Sequence, residues 1–430
     1  MSSASMPLYE ELEKRGLILD ASSPEIKELL NDKKISFYIG YDPTAKSLQI
    51  GNLMAIITMK RLQLRGHKPY VLVGGATGMI GDPSGKSSER VLLDENIIRS
   101  NVEAQKKQFA KFLDFNSNAT NVATIVNNND WIGKFTFIEF LRDVGKRFRM
   151  SEMLAKDSVK SRLNSEAGLS FTEFTYQMIQ AYDFHYLATN HQVVLQMGGG
   201  DQWGNITAGI DYARKMEGRQ VYGLVIPLVT DSQGRKFGKS EGGSAIYLDP
   251  EMTSPYQMYQ YLLNSDDSSV IKYLKYFTFL SLDEIENLEQ ETKNNPHLRS
   301  AQKALATELV RFVHGEEGLK ASEQATKLFF GEKIENLKDK DLQAIFQDVP
   351  SVEIPRSDLD QGIDILDLLS KTPLYASKGE ARRSVEQKGV SLNNSVIESI
   401  TLKITAQSLA SETCLVLRKG KKNYCVVKFH

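Results

Sequence analysis

Apolar and polar positions follow two rhythms along this chain, and the place where one gives way to the other divides it. Before residue 249, short apolar runs rich in β-branched and aromatic residues occur at 35–41, 67–73, 193–197 and 221–229. Runs of this length, bounded by Gly, Pro or Asp, predict buried strands. Helical spacing surrounds them. Residues 7–15 predict a short helix ending at Gly16, and Ser23-Pro24 opens another through Leu30. Leu48, Leu53, Ile56, Ile57 and Leu64 predict a helix capped by Ser47 and ended by Gly66. Further helices are predicted over 171–183 and from Asn205 to Met216. The unit 35–66 therefore reads as strand, polar turn at Asp42-Pro43-Thr44, helix. Such a turn places backbone N–H groups and a positive helix end at a sheet's carboxyl edge, where a phosphate is welcome.

After Leu248 the rhythm is helical throughout. Ser254-Pro255 and Asn295-Pro296 are cap-plus-proline starts, and Ser281 with Glu284 makes a capping box. Leu298, Ala301, Leu305, Leu309 and Phe312 form one apolar stripe. The expected organisation is an α/β domain over 1–248 with an inserted subdomain, an all-α domain over 249–350, a linker at 351–362 and a small α+β module over 363–430. That module starts with a helical segment at 363–370. It ends in an alternating hairpin, 413–429, about Lys419-Gly420-Lys421-Lys422.

Length and charge sharpen this picture. The 430 residues suit about three domains. A net charge of −1 gives no global field toward nucleic acid or membrane, but the charge is uneven. From Asp364 to the end there are 11 Lys/Arg against 6 Asp/Glu, so a basic tail follows a mildly acidic body. In the tail Arg382, Arg383 and Lys388 suit an RNA backbone. The two cysteines, Cys414 and Cys425, are too few for a disulfide scaffold or zinc knuckle and fit a reducing compartment. No apolar signal core opens the chain and no run approaches membrane length, so a cytoplasmic protein is expected.

Candidate chemistry gathers where strands end. Residues 74–87, GGATGMIGDPSGKS, tempt one toward a P-loop, but Ile80 stands where the first glycine of that motif is required. The stretch reads instead as a backbone floor under a small polar ligand. Asp82 would anchor an ammonium group, with Lys86 and Arg90 near phosphates. On the helix 171–183, Tyr176, Gln180 and Asp183 stand at i, i+4 and i+7 and share a face, presenting a phenol, an amide and a carboxylate. After the strand at 193–197 comes GGGDQWGN. Its glycines leave room for a sugar or ring, and Asp201 can accept from ribose hydroxyls. The loop 230–243, with Lys236 and Lys239 three apart between glycines, is suited to a triphosphate. The aromatic stretch 131–141 reads as core or as packing between subunits.

Taken in order, YIGYDPTAKSLQIGN, GGATGMIGDPSGK, FTEFTYQMIQAYDF, GGGDQWGNITAG and KFGKS resemble the bacterial-type tyrosyl-tRNA synthetases, over nearly the whole chain. The resemblance implies a class I synthetase with a Rossmann-like parallel-sheet catalytic domain, an α-helical anticodon-binding domain and a C-terminal RNA-binding module, working as a homodimer. It implies that Tyr38 and Asp183 hold the phenolic hydroxyl of tyrosine. Asp82, Tyr176 and Gln180 would cage its α-ammonium, and Gln202 would lie near its carboxylate. Gly40, Asp42, Thr44, Gly51, Gly199 and Asp201 would face ATP, whose Mg2+ would arrive with the nucleotide and need no protein metal site. Lys236, Lys239 and Ser240 match the Lys-Met-Ser-Lys-Ser loop. The class I signature His-x-Gly-His stands here as Gln49-Ile50-Gly51-Asn52, so amides replace both imidazoles. Amides donate hydrogen bonds but carry no ionisable proton. A site that works by donation to phosphates survives this change.

The implied reaction joins L-tyrosine to ATP as tyrosyl-adenylate with release of pyrophosphate, then passes tyrosyl to the 3′ end of tRNA(Tyr). Positioning and charge stabilisation, with Thr44, Gln49, Asn52, Lys236 and Lys239 in the catalytic part, need no protein nucleophile. The rival readings are a P-loop kinase, which the glycine spacing opposes, and a catalytically inactive synthetase-like RNA-binding protein, favoured only by the altered signature.

Overall fold

The computed structural model describes residues 6–85, 93–164, 168–235, 237–239, 243–335, 337–346, 349–421 and 423–430. Its larger sheet is built from β1 (Asp20–Ala21), β2 (Ser36–Tyr41), β3 (Lys68–Val73), β4 (Thr124–Asn127), β5 (Val193–Gly199) and β6 (Tyr222–Ile226). The spatial order is β1-β6-β5-β2-β3-β4, and every pairing is parallel except β1 with β6. Parallel strands are covered on both faces, which is why they read as continuous apolar runs. Phe37, Val71, Leu195 and Leu224 are all fully buried. The chain runs outward from β2 through β3 to β4 on one side, then returns to add β5 and β6 on the other. A crevice at the carboxyl end of β2 is therefore the expected ligand position.

Two local expectations are corrected. The helix read from Ser47 begins at Leu53 and runs to Leu64, after one 3-10 turn, Ile50–Asn52. Ser47 is no cap: its hydroxyl donates to the Leu48 carbonyl (2.8 Å) and accepts from the Gln108 amide (3.0 Å) and the Asp249 N–H (3.0 Å). Long-range partners satisfy this buried hydroxyl, which local helix-capping patterns cannot reveal. The strand read over 221–229 stops at Ile226, because Pro227 cannot donate to the ladder.

The chain forms two compact units, Met1–Thr253 with Leu262–Val313, and Ser254–Tyr261 with His314–His430. The helices Asp267–Phe277 and Leu282–Asn294 thus belong with the sheet rather than with the rest of the expected 249–350 domain. Among the described residues no helix is long and apolar enough to cross a membrane.

In the second unit a five-stranded sheet has the order Ser395–Val396, Val390–Leu392, Cys414–Lys419, Asn423–Phe429, Ser351–Ile354. The last pair is parallel and the others antiparallel. The stretch 351–362 is therefore no linker. It supplies an edge strand and the helix Arg356–Gln361, with Ile354 and Leu359 in the same core as Ile365, Leu368, Leu415 and Val427. Its acidic, proline-containing composition hid two core residues. The hairpin at the end is as expected, turning at Gly420 with φ +63°.

Candidate active site

Tyr38, on β2, is 1% exposed and lies edge-on to Phe184 with ring centroids 5.4 Å apart. Its hydroxyl finds no hydrogen-bond partner among the described residues. An orphaned buried hydroxyl carries a real cost unless something else supplies the partner. Burial first, then the Asp183 charge, pushes the Tyr38 pKa well above its ordinary value, so the phenol stays neutral. Asp183, 2% exposed, comes from the helix Phe171–His191. Its two oxygens accept from the Trp131 indole (2.7 Å) and the Asn128 amide (3.0 Å). Burial nevertheless pushes its pKa up to about 7, against those two hydrogen bonds and with some help from Asp42. In the register of β2 with β5, Gln196 is the neighbour of Tyr38, and its buried side-chain oxygen also lacks a partner among the described residues. A buried phenol and a buried amide thus stand as register neighbours with open hydrogen-bonding capacity among the described residues, and the charge of Asp183 acts on the phenol.

From Asp183 a chain of hydrogen bonds runs back to the polar turn after β2. Asn128 also donates to the Thr77 hydroxyl (3.1 Å), Thr77 donates to Asp42 (2.7 Å), and the Tyr176 hydroxyl donates to the other Asp42 oxygen (2.9 Å). Gly74 makes this possible: a Cβ there would run into the Asp42 carboxylate and the Thr77 hydroxyl. Burial raises the Tyr176 pKa well above normal, and the charges of Asp42, Asp82 and Asp183 raise it further. Three carboxylates therefore act on one phenol, a field that favours an ammonium group.

The amides form a second network. Gln202 donates to Asp82 (2.6 Å), and the Asn205 amide lies 3.0 Å from the Gln180 oxygen and 3.3 Å from the Gln202 oxygen. Asp82 also accepts from the Ser84 N–H (2.9 Å), and a Cβ on Gly85 would sit 3.1 Å from the Asp201 carboxylate. The stretches GDPSG and GGGDQW, 120 residues apart, are thereby brought side by side.

Toward solvent, Gly40 and Thr44 are exposed, and Gly51 and Gly199 are half-buried. The Gln49 N–H donates to the Asn52 side-chain oxygen at 2.9 Å, which leaves the Asn52 amide N–H groups to act as donors. The loop 237–239 lies against this signature turn. Gly238 adopts φ +97°, and a Cβ there would sit 2.8 Å from Ile50. Lys239 is exposed and bridges to Ala245. Lys86, Arg90, Lys236 and Ser240 lie outside the described residues. In the other unit, Arg382 and Arg383 are exposed on the helix Lys378–Glu386, and exposed Lys388 follows it.

Asn128, Trp131, Thr77, Gln196 and Asn205 escaped the sequence reading. Asn128 sits in what reads as a polar break, and Trp131 in what reads as core or subunit packing. Gln196 was the one detectable signal, a polar residue inside an apolar strand.

Asp42 was expected to face the nucleotide. Its carboxylate is engaged by Thr77 and Tyr176, so it joins the hydrogen-bond chain from Asp183 to Tyr176.

Comparison with known proteins adds the family. The model of "tRNA synthetases class I (W and Y)" matches residues 30–331, and that of the "Tyrosine--tRNA ligase SYY-like C-terminal domain" matches 341–427. The chain is 47% identical to a tyrosine–tRNA ligase of Roseiflexus castenholzii, covering 98% of this chain and 99% of that one. It is 46% identical to that of Staphylococcus epidermidis, with 98% and 99% covered. Among solved structures, a C-terminally truncated mitochondrial tyrosyl-tRNA synthetase of Aspergillus nidulans is similar with a TM-score of 0.67 and 32% identity, covering 75% of this chain and 94% of that one. With a family model spanning most of its length and relatives this similar from end to end, the chain belongs to the class I tRNA synthetases of the tryptophan and tyrosine kind.

Proposed function

We propose that this chain is a tyrosine–tRNA ligase that forms tyrosyl-adenylate from L-tyrosine and ATP and transfers the tyrosyl group to the 3′ end of tRNA(Tyr). The observation that carries this is the buried Tyr38 hydroxyl, which has no hydrogen-bond partner among the described residues and feels the charge of the buried Asp183 carboxylate. A phenolic hydroxyl entering the pocket donates to Asp183 and accepts from Tyr38, which relieves both. Phenylalanine relieves neither, and the resulting discrimination is large; a tyrosyl-tRNA synthetase is the standard illustration of that rule.

The ammonium group of tyrosine takes the field of Asp82, Tyr176 and Gln180, and Gln202 lies near its carboxylate. ATP, carrying its Mg2+, lies over Gly40, Gly51 and Gly199 with its ribose at Asp201. The tyrosine carboxylate attacks the α-phosphorus, and the P–O bond to the leaving pyrophosphate breaks. Thr44, Gln49, Asn52, Lys236, Lys239 and Ser240 stabilise the charge that moves onto the phosphate oxygens, and Lys86 and Arg90 lend further positive charge. Neither signature amide needs to change its protonation state, so the replacement of both histidines is compatible with activity. Arg382, Arg383 and Lys388 contact the tRNA backbone.

The protein works as a homodimer in a reducing cytoplasm. Phe137, Ile138, Met150, Leu163 and Phe171 are exposed, in the same stretch of chain as the small core formed by Met153, Val159, Phe174 and Met178. An apolar surface of this kind is suited to a second copy. Ile138→Asp is expected to shift the sedimentation coefficient toward a monomer.

The decisive experiment is exchange of labelled pyrophosphate into ATP. Exchange that requires tyrosine and is lost in Asp183→Ala supports the reading. Exchange at the parent rate in that variant refutes the pocket assignment, and no exchange in the parent favours the inactive RNA-binding alternative.

A further inference from the structure

The loop that carries Lys239 is seated on the helix Asp267–Phe277, which by sequence lies outside the catalytic domain. At its start, the Thr230 carbonyl accepts from the Tyr273 hydroxyl (3.0 Å) and the Lys272 ammonium (3.2 Å). The Ser232 hydroxyl donates to the Asp266 carboxylate just ahead of the helix. Further along, Phe237 is 5% exposed, with its ring centroid 4.7 Å from Tyr273 and 5.1 Å from Phe277. The next two residues lie against the signature turn and bridge to Ala245. Burial of this ring stabilises the seat of the loop on the helix by roughly 1.5–3 kcal/mol.

The far end of the same helix is held by the helix that follows the signature. Arg61, on Leu53–Leu64, donates to the Thr278 carbonyl, and Arg15 donates to the carbonyls of Lys275 (3.3 Å) and Leu280 (2.7 Å). Glu11 pairs with both arginines, at 3.0 Å to Arg61 and 3.1 Å to Arg15. The helix is thus a strut, clamped at one end to the signature helix and bearing the loop along the rest of its length.

We propose that Tyr273 is a positioning residue for adenylate formation: by holding the Thr230 carbonyl and the Phe237 ring, it sets where the loop lysine meets the triphosphate. The proposal rests on the reading of Lys239 as a phosphate-facing residue. Tyr273 touches no substrate. It acts on the ATP half of the reaction, while the tyrosine pocket is built from other elements, Asp183 with Asn128 and Trp131 among them.

The test uses the full chain and pyrophosphate exchange with tyrosine and ATP varied separately. Tyr273→Phe keeps the ring and removes the hydroxyl. It is expected to raise the KM for ATP or lower kcat by about tenfold, while tyrosine affinity measured without ATP stays at the parent value. Phe237→Leu is expected to show the same split. Unchanged ATP parameters in both variants overturn the proposal. So does a fall in tyrosine affinity parallel to the ATP effect, because that is the mark of general destabilisation. If Tyr273→Phe does not fold, Lys272→Met removes the other donor to the same carbonyl and is read by the same split. Lys239→Ala, run alongside, tests the underlying reading. Exchange at the parent rate there refutes the loop lysine itself, whereas a large loss with Lys239→Ala and none with Tyr273→Phe overturns the anchoring alone.

Discussion

On the proposed reading, Asp183 trades stability for recognition. Its pKa is pushed up to about 7 by burial, against about 3.9 for an unfolded chain. Between those values the folded state keeps a proton that the unfolded state has released, so folding stability falls as pH rises from about 4 to about 7 and stays lowered above that. At roughly 1.4 kcal/mol per pKa unit, the penalty is on the order of a few kcal/mol. Asp183→Asn is therefore expected to be more stable than the parent above pH 7, to match it near pH 4, and to lose tyrosine activation. Urea midpoints against pH check the first two points and pyrophosphate exchange the third. An Asn variant no more stable at pH 8 refutes the burial argument. On the proposed reading, the ionised carboxylate of the parent is the better acceptor for the substrate hydroxyl. Tyrosine binding is accordingly expected to weaken below pH 7, by up to about tenfold per unit. Lys388, proposed to contact the tRNA backbone, makes a second trade on that reading. It adopts φ +55° after a helix end, a conformation glycine takes without strain. Lys388→Gly is expected to stabilise the fold by up to about 1 kcal/mol while weakening tRNA binding and flattening its salt dependence. Unchanged tRNA affinity at low salt would show that the charge has no part in binding.

At the scale of elements, the helix Phe171–His191 carries three of the residues expected around tyrosine, and its start is pinned. Arg162 makes a bidentate pair with Glu173, at 2.9 and 2.7 Å, with Arg162 1% and Glu173 2% exposed. The same guanidinium donates to the Gly168 carbonyl at 3.0 Å. Removing one partner leaves a buried charge, which typically costs about 3–5 kcal/mol. Glu173→Ala is thus expected to lower the denaturant midpoint sharply and weaken tyrosine binding with it, and Glu173→Gln to do so less. A midpoint within about 0.5 kcal/mol of the parent would mean that the pair does not pin the helix. This helix was legible because its polar stripe at i, i+4 and i+7 survives in the sequence. Its role as a platform depends on Asn128 and Trp131 from elsewhere, and periodicity carries no record of what packs against a face. Ser47 makes the same point in reverse: a good capping residue was diverted by Gln108 and Asp249.

For the whole molecule, the important correction is where the chain divides. The sequence-based cuts at 248, 350 and 362 follow changes in composition, while the compact units interleave. A chain ending at Gly362 keeps Ile354 and Leu359 but loses the strand Asn423–Phe429 and the core that covers them. It is expected to bind a hydrophobic dye and to elute as aggregate on size exclusion. A sharp, dye-silent species melting like the parent would restore the linker reading. The strands β2, β3, β5 and β6, the helix Phe171–His191 and the glycine turns at strand ends were legible in the sequence alone, because apolar period and turn chemistry are local. Only the tertiary structure decided that Asp42 bonds both Thr77 and Tyr176, that Gln196 stands beside Tyr38, and that a helix from the region read as a separate domain holds Thr230 and Phe237. Those facts depend on which distant segments share a buried polar group, and such pairings are set by packing in three dimensions rather than by any pattern along the chain.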